Sequence, residues 1–255
     1  MLGAIIGDII GSRFEGKNNR SESFELFTKN SHFTDDTVLT VALADSILSG
    51  ISYREKLYEY RGLYPNAGYG SSFNRWAGFK LKEPYNSYGN GSAMRVSPVG
   101  WAYDDLSLVL TKAKESAEVT HNHPEGIKGA QAVAASIFLA RTGVSKKEIK
   151  KYLEKHFRYK FNFNLERLRR NYKFDISCQG TVPQAIFTFF KSNSFEDSIR
   201  KAISIGGDSD TIACISGGIA EAFYHEIPQS IIDEAKTKLD YTLLKVLINF
   251  RREYN

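Results

Sequence analysis

The chain has 255 residues, 42% of them hydrophobic and 25% charged, a balance that excludes disordered and collagen-like classes and is ample for a buried core. Two cysteines, Cys178 and Cys214, provide neither a disulfide framework nor a metal-binding spacing. No apolar run approaches the ~18 residues that cross a bilayer and no basic leader opens the chain, so the expectation is a cytoplasmic protein, monomeric by default and independent of membranes.

Apolar spacing is helical nearly throughout. Residues 2–12 place Gly3, Gly7 and Gly11 at four-residue steps, a small face against which another backbone can close. Residues 13–33 are polar and aperiodic, a long loop of the kind that forms lids. Thr34 then opens a helix to about Ser49, with Val38, Leu39, Ala42, Leu43 and Ile47 turned inward. Residues 62–98 are rich in Gly, Asn, Ser and Tyr and read as a substantial irregular region. Within it, "GYGSSFNRWAGF" has two readings, a packed segment or a cleft wall with Trp76 as its apolar surface.

Pro124 begins a helix over "PEGIKGAQAVAASIFLA". Ser145 and Glu148 make the capping box of "KKEIKKYLEKHF", whose stripe is Ile149, Leu153 and Phe157. Two helices are expected at 181–191 and 195–205, the second stopped by Gly206 and Gly207. Asp208 to Tyr224 is rich in small residues and reads as buried. Pro228 to Arg252 reads as one long amphipathic helix with Leu239, Leu243, Val246 and Phe250 in register. No segment alternates like a strand and no linker interrupts the chain. The fold class is therefore all-α, one domain over 1–255.

Charge is uneven. The net charge is +5, yet residues 146–173 alone hold 11 Lys or Arg against Glu148, Glu154 and Glu166, a net of +8 that leaves −3 for the rest. Such a strip can meet a polyanion. A solvated helix pair is the favoured reading, because no nucleic-acid motif accompanies it.

Two short acidic clusters stand out, "FTDDTV" (Phe33 to Val38) and "GGDSDT" (Gly206 to Thr211). Each alone is explained by helix capping, with Asp complementing the positive end of the helix dipole. Two facts point further. The carboxylates outnumber what a cap requires, and neighbouring acids repel. Both clusters also combine aspartates with a threonine hydroxyl, an all-oxygen set suited to Mg²⁺, Mn²⁺ or Ca²⁺ rather than zinc. If folding brings them together, four carboxylates need divalent cations to coexist, typically two sharing one carboxylate.

These motifs, with "GAIIGDIIGSRFE", "SYGNGSAMRVSPVG", "VTHNHPEGIKGA", "VPQAIF" and "GGDSDTIACISGGIAEAFY" in that order, resemble those of the ADP-ribosylglycohydrolase family from residue 3 to about 224. The resemblance implies an all-α orthogonal helical domain whose cleft holds two divalent cations, Mg²⁺ or Mn²⁺. One would be held by Thr34, Asp35, Asp36 and a shared Asp210; the other by Asp208, Asp210 and Thr211. Glu15 matches the acid of the mobile flap and is the expected proton-transfer residue, with Asp35 and Asp36 beside the reaction. Asn86, Ser87, Tyr88, Gly89 and Asn90 match the diphosphate cradle, and His121 a histidine lining the ADP-ribose site. The implied substrate is an ADP-ribosylated protein or a small ADP-ribose conjugate, with nucleic acid not favoured. "SYGNGSAMRV" leans slightly toward serine- and O-acetyl-type relatives. A different class stays open: a module that binds ADP-ribose or a nucleotide with little turnover.

Overall fold

The computed structural model describes residues 1–254, which fold into helices joined by turns and a few longer irregular segments. The first half holds α1 (Leu2–Gly11), a 3-10 turn at Ser12–Phe14, α2 (Asp35–Ser49), α3 (Tyr53–Leu63), α4 (Ser71–Gly78), α5 (Gly91–Met94), α6 (Ser97–Ala102) and α7 (Leu106–Glu118). The second half holds α8 (Pro124–Arg141), α9 (Lys146–Phe157), α10 (Leu165–Asn171), α11 (Cys178–Phe190), α12 (Phe195–Ser204), α13 (Ser209–Tyr224), α14 (Gln229–Thr237) and α15 (Tyr241–Tyr254). An isolated bridge pairs Gly89 with Ser177, and no sheet forms among the described residues. The all-α expectation holds.

The glycine face of α1 decides the assembly. α1 lies along α13, and a Cβ at Gly7 would run into the Ala213 carbonyl, one at Gly3 into the Gly217 carbonyl. The two backbones therefore meet directly, as the four-residue spacing predicts. Both helices are buried along almost their whole length. α2 packs on α1, while α8, α11 and α12 pack around α13. This stacking brings Asp8 of α1, the start of α2 and the start of α13 to one place.

Other helices follow their sequence signals. Ser145 and Glu148 form the reciprocal capping box of α9, and Ile149, Leu153 and Phe157 are buried. In the basic strip, α9 and α10 form two surface helices, with Phe157, Tyr159 and Phe161 turned into the core. No helix among the described residues is long and apolar enough to cross a membrane.

Two expectations fail. Residues 62–98 are not irregular throughout, since they contain α4, α5 and the start of α6, short helices of 8, 4 and 6 residues. Their brevity hides any periodicity, and packing rather than propensity holds them. The expected long helix after Pro228 is two helices broken at Lys238–Asp240. Asp240 caps the second, accepting from the Leu243 amide at 3.0 Å, and a side chain that competes for backbone N–H groups favours such a restart. Leu239 consequently sits in the break.

Candidate active site

The site begins with Thr34. Its side chain caps α2 by accepting from the Asp36 amide at 3.3 Å, and its hydroxyl donates to Asp8 Oδ1 at 2.7 Å. Asp8 also accepts from the Thr34 amide at 2.9 Å and the Thr37 amide at 3.0 Å, and from the Thr37 hydroxyl. Four hydrogen bonds thus lock a fully buried carboxylate of α1 to the first turn of α2. Because the Thr34 hydroxyl gives its proton to Asp8, its remaining lone pair is oriented away from that bond. The sequence reading missed Asp8. The available signal was a lone charge in an otherwise apolar helix.

The second cluster is turned into place by Gly206 and Gly207, at φ of +73° and +76°. Both sit in the left-handed region that glycine enters without penalty. Asp208 accepts from Asn90 Nδ2 at 2.7 Å. The Thr211 hydroxyl donates to Asp36 Oδ2 at 3.2 Å across 175 residues of sequence. Carboxylate oxygens of Asp8, Asp36 and Asp210 lie within 4.8 Å of one another, and so do those of Glu15, Asp208 and Asp210. Asp210 belongs to both trios. Asp35 joins neither and stands on the cleft wall near Gly68.

Electrostatics at this cluster are unbalanced. Burial, then repulsion from Asp8, Asp208 and Glu15, pushes Asp35 up to about 8. Burial and neighbouring acids hold Asp36 and Asp210 well above the ordinary carboxylate range. Asp208 is raised by burial, opposed by Asp210 and by the hydrogen bond from Asn90, and Asp8 by burial despite Thr34 and Thr37. Burial and then Asp208 and Asp8 raise Glu15, opposed by His32. Among the described residues, none of these carboxylates forms an ion pair with a lysine or arginine. Asp36 Oδ1 is buried with no hydrogen-bond partner. An orphaned carboxylate oxygen among hard oxygen donors fits a divalent cation, and the carboxylates grouped closely enough to hold one are Asp8, Asp36 and Asp210, and Glu15, Asp208 and Asp210.

Above the cluster opens a cavity of about 460 Å³, within the range of small-molecule sites. Glu15 overhangs it from the exposed turn after Phe14, with the Gly16 amide tied to the Gly207 carbonyl at 3.1 Å. Residues 13–33 are irregular, as expected, and are moored from distant helices. Arg200 donates to the carbonyls of Glu22 and Phe24 at 2.9 and 2.8 Å, and Arg20 to that of Tyr172 at 3.0 Å.

Of the expected cradle, Ser87, Gly89 and Asn90 line the cavity, as does His121. Asn86 and Tyr88 do not. Asn86 takes φ of +52° and anchors the loop through its amide to Asn122 Oδ1 at 2.8 Å. The Tyr88 ring is half exposed and packs edge-on against His123 with centroids 5.4 Å apart. Trp76 is not a cleft wall. It is 1% exposed, packed against Tyr58 and Phe73 on the inner face of α4. The other end of that helix faces the cavity through Ser71 and Ser72, with no side-chain cap at Gly70. Phe174 and Ile176 add exposed apolar surface at the rim. Neither feature was legible beforehand, since both depend on which face of a short segment turns inward.

The site is thus a cleft in a helical scaffold, with carboxylates that could bind a cation on one side and polar donors on the other. The chain belongs to the ADP-ribosylglycohydrolase family, whose model matches residues 1–253. It is 27% identical to ADP-ribosylhydrolase ARH3 of Mus musculus, over 90% of this chain and 84% of that one. It is 25% identical to ADP-ribosylarginine hydrolase Tri1 of Pseudomonas putida, over 88% of this chain and 69% of that one. Among solved structures, an ADP-ribosylglycohydrolase-related protein complex shares the fold with a TM-score of 0.71 at 22% identity, covering 99% of this chain and 97% of that one.

Proposed function

We propose that this protein is a divalent-metal-dependent hydrolase that cleaves the N- or O-glycosidic bond between ADP-ribose and an acceptor, releasing ADP-ribose. The observation that carries the reading is the meeting of both acidic clusters around Asp210 on the floor of a cleft. Family membership and the names of the relatives ARH3 and Tri1 support the same chemistry.

Bound cations, Mg²⁺ or Mn²⁺ and two in number, would supply Lewis-acid polarisation and a template for the ribose hydroxyls. This chain's residues do the rest. Thr34, Asp35 and Asp36 present oxygens from the first turn of α2, and Asp208, Asp210 and Thr211 from the first turn of α13. The N–H groups at the uncapped start of α4 suit the diphosphate, because the first turn of a helix leaves backbone donors free to meet an anion. Hydrolysis breaks the bond from the anomeric carbon to the acceptor nitrogen or oxygen and forms one to a water oxygen. Positive charge grows on the sugar as the acceptor leaves, and the flanking carboxylates stabilise it. The water's proton must end on the acceptor. Glu15, whose carboxyl is raised by burial and by Asp208 and Asp8, would carry it.

Incubation with Mg²⁺ or Mn²⁺ against ADP-ribosyl-arginine, ADP-ribosyl-serine and O-acetyl-ADP-ribose tests the reading by chromatography of free ADP-ribose. Release from at least one is expected. Tight ADP-ribose binding by calorimetry with no release from any would favour the binding-module alternative instead.

A further inference from the structure

The end of the cleft away from the carboxylates holds a charge that neither the metal cluster nor the proton transfer uses. Arg95, the residue after α5, is wholly buried and lies among the residues that form the cavity. One terminal nitrogen donates to the Ser116 carbonyl at 3.0 Å and to Thr120 Oγ1 at 2.8 Å. Its Nε and Nη1 have no partner. The titratable groups around it are the Tyr85 phenol and the Cys178 thiol, with no carboxylate among them. A guanidinium buried without a counter-ion is a costly arrangement that a folded protein keeps only where something compensates it.

The contact to Thr120 leads to the cleft. Thr120 Oγ1 lies 2.7 Å from His121 Nδ1. Arginine can only donate, so the threonine oxygen accepts from it. Its own proton is then free to reach the ring nitrogen as acceptor. In a neutral imidazole the other nitrogen carries the hydrogen. That nitrogen, Nε2, faces the loop of the expected cradle: a Cβ added at Gly91 would sit 3.2 Å from it, and one at Gly89 3.6 Å. The burial of His121, and after it the charge of Arg95, opposes a second proton on the ring.

We propose that Arg95, acting through Thr120, is a positioning residue that fixes His121 as a neutral ring with its Nε2–H aimed into the cleft. Together they make that end of the cleft selective for a phosphoanhydride. The buried guanidinium supplies positive potential without touching the ligand, and His121 supplies the directed donor. The phosphoanhydride would be the diphosphate of ADP-ribose, so the ligand's identity rests on the proposed function, whereas the relay itself does not.

Two measurements separate these statements. Imidazole ¹⁵N spectra of the metal-free protein between pH 5 and 8 read the tautomer directly. In the wild type His121 stays neutral with the hydrogen on Nε2. In Thr120→Val the tautomers mix, and in Arg95→Met the ring takes up its second proton at a higher pH than in the wild type. The groups packed around the pair, Tyr85 and Cys178, are both held above their ordinary values by burial, so neither supplies a competing titration there. Calorimetry with inorganic pyrophosphate and with ADP-ribose then reads affinity. Thr120→Val weakens both by about tenfold or more, while Thr120→Ser keeps wild-type affinity. In steady state, the loss falls on KM rather than kcat. A wild-type His121 protonated on Nδ1, or unchanged affinity in Thr120→Val, overturns the relay. Pyrophosphate binding without ADP-ribose release from any conjugate would leave the relay standing and reject the hydrolase reading. Should Arg95→Met not fold, the Thr120 pair decides alone.

Discussion

At one end of the cleft Asp36, Asp208 and Asp210 gather with no lysine or arginine paired to them among the described residues, whereas at the other Arg95 is buried with no carboxylate beside it. In most interiors the two would have been paired with each other. Here Asn90 stands between them, bonding to Asp208 on one side and joining the Gly89–Gly91 loop below His121 on the other. Keeping the charges apart leaves each end with a deficit that a ligand can fill. The acidic end calls for cations and hydroxyls, the other for an anion. A phosphorylated sugar satisfies both along its length, which is why the comparison supports a sugar-nucleotide substrate more strongly than either end does alone.

Breaking the acidic end has the largest expected effect. Asp210 is shared by both trios, so Asp210→Asn should abolish cation binding by calorimetry and lower ADP-ribose release by about 10³-fold or more, since a shared ligand removes both halves of the site. Glu15→Gln separates proton transfer from cation binding. Its rate should fall by about 10²–10⁴-fold with Mn²⁺ affinity nearly intact, measured on one sample by calorimetry and product assay. If affinity collapses too, Glu15 is a ligand rather than a proton carrier.

Asp8→Asn sharpens the comparison at lower cost. It should weaken Mn²⁺ binding by about 10–100-fold, the usual loss when an outer partner of a ligand is altered, because Asn cannot accept from both threonines as Asp8 does. Smaller still is the pH effect on stability. The raised carboxylates bind protons in the folded state that the unfolded chain has already lost, so stability of the metal-free protein falls as pH rises. The window runs from the ordinary carboxylate range to the value of about 8 reached by Asp35. Thermal melts across pH 5–8 should show a falling Tm without metal and a flatter profile with Mn²⁺. A flat metal-free profile would mean that burial and repulsion do not raise these carboxylates.

The two ends also differ in how far the sequence reveals them. The acidic end is local: Asp35 and Asp36 are adjacent, Asp208 and Asp210 nearly so, and each group opens a helix. Residue types and spacing could therefore be read directly, together with the glycine face that brings α1 to α13. Asp8 escaped because its role is defined by two threonines on another helix. His121 was legible in its motif, but its link through Thr120 to Arg95 escaped because the three converge only after α5 packs beside the end of α7. Trp76 was open to two readings, since a tryptophan in a Gly-rich segment can face either way and only the packing against Tyr58 settled it. The break at Asp240 escaped because a polar cap inside an amphipathic pattern preserves the pattern.

The central claim is that both acidic clusters form one cation-requiring site for hydrolysis. Its most direct test is ADP-ribose release from whichever conjugate the wild type cleaves, followed first in chelator and then after Mn²⁺ is restored. The account predicts no release in chelator and full recovery with the cation in the wild type, with no recovery in Asp210→Asn. Release that continues undiminished in chelator, or that Asp210→Asn restores as well as the wild type, would contradict it.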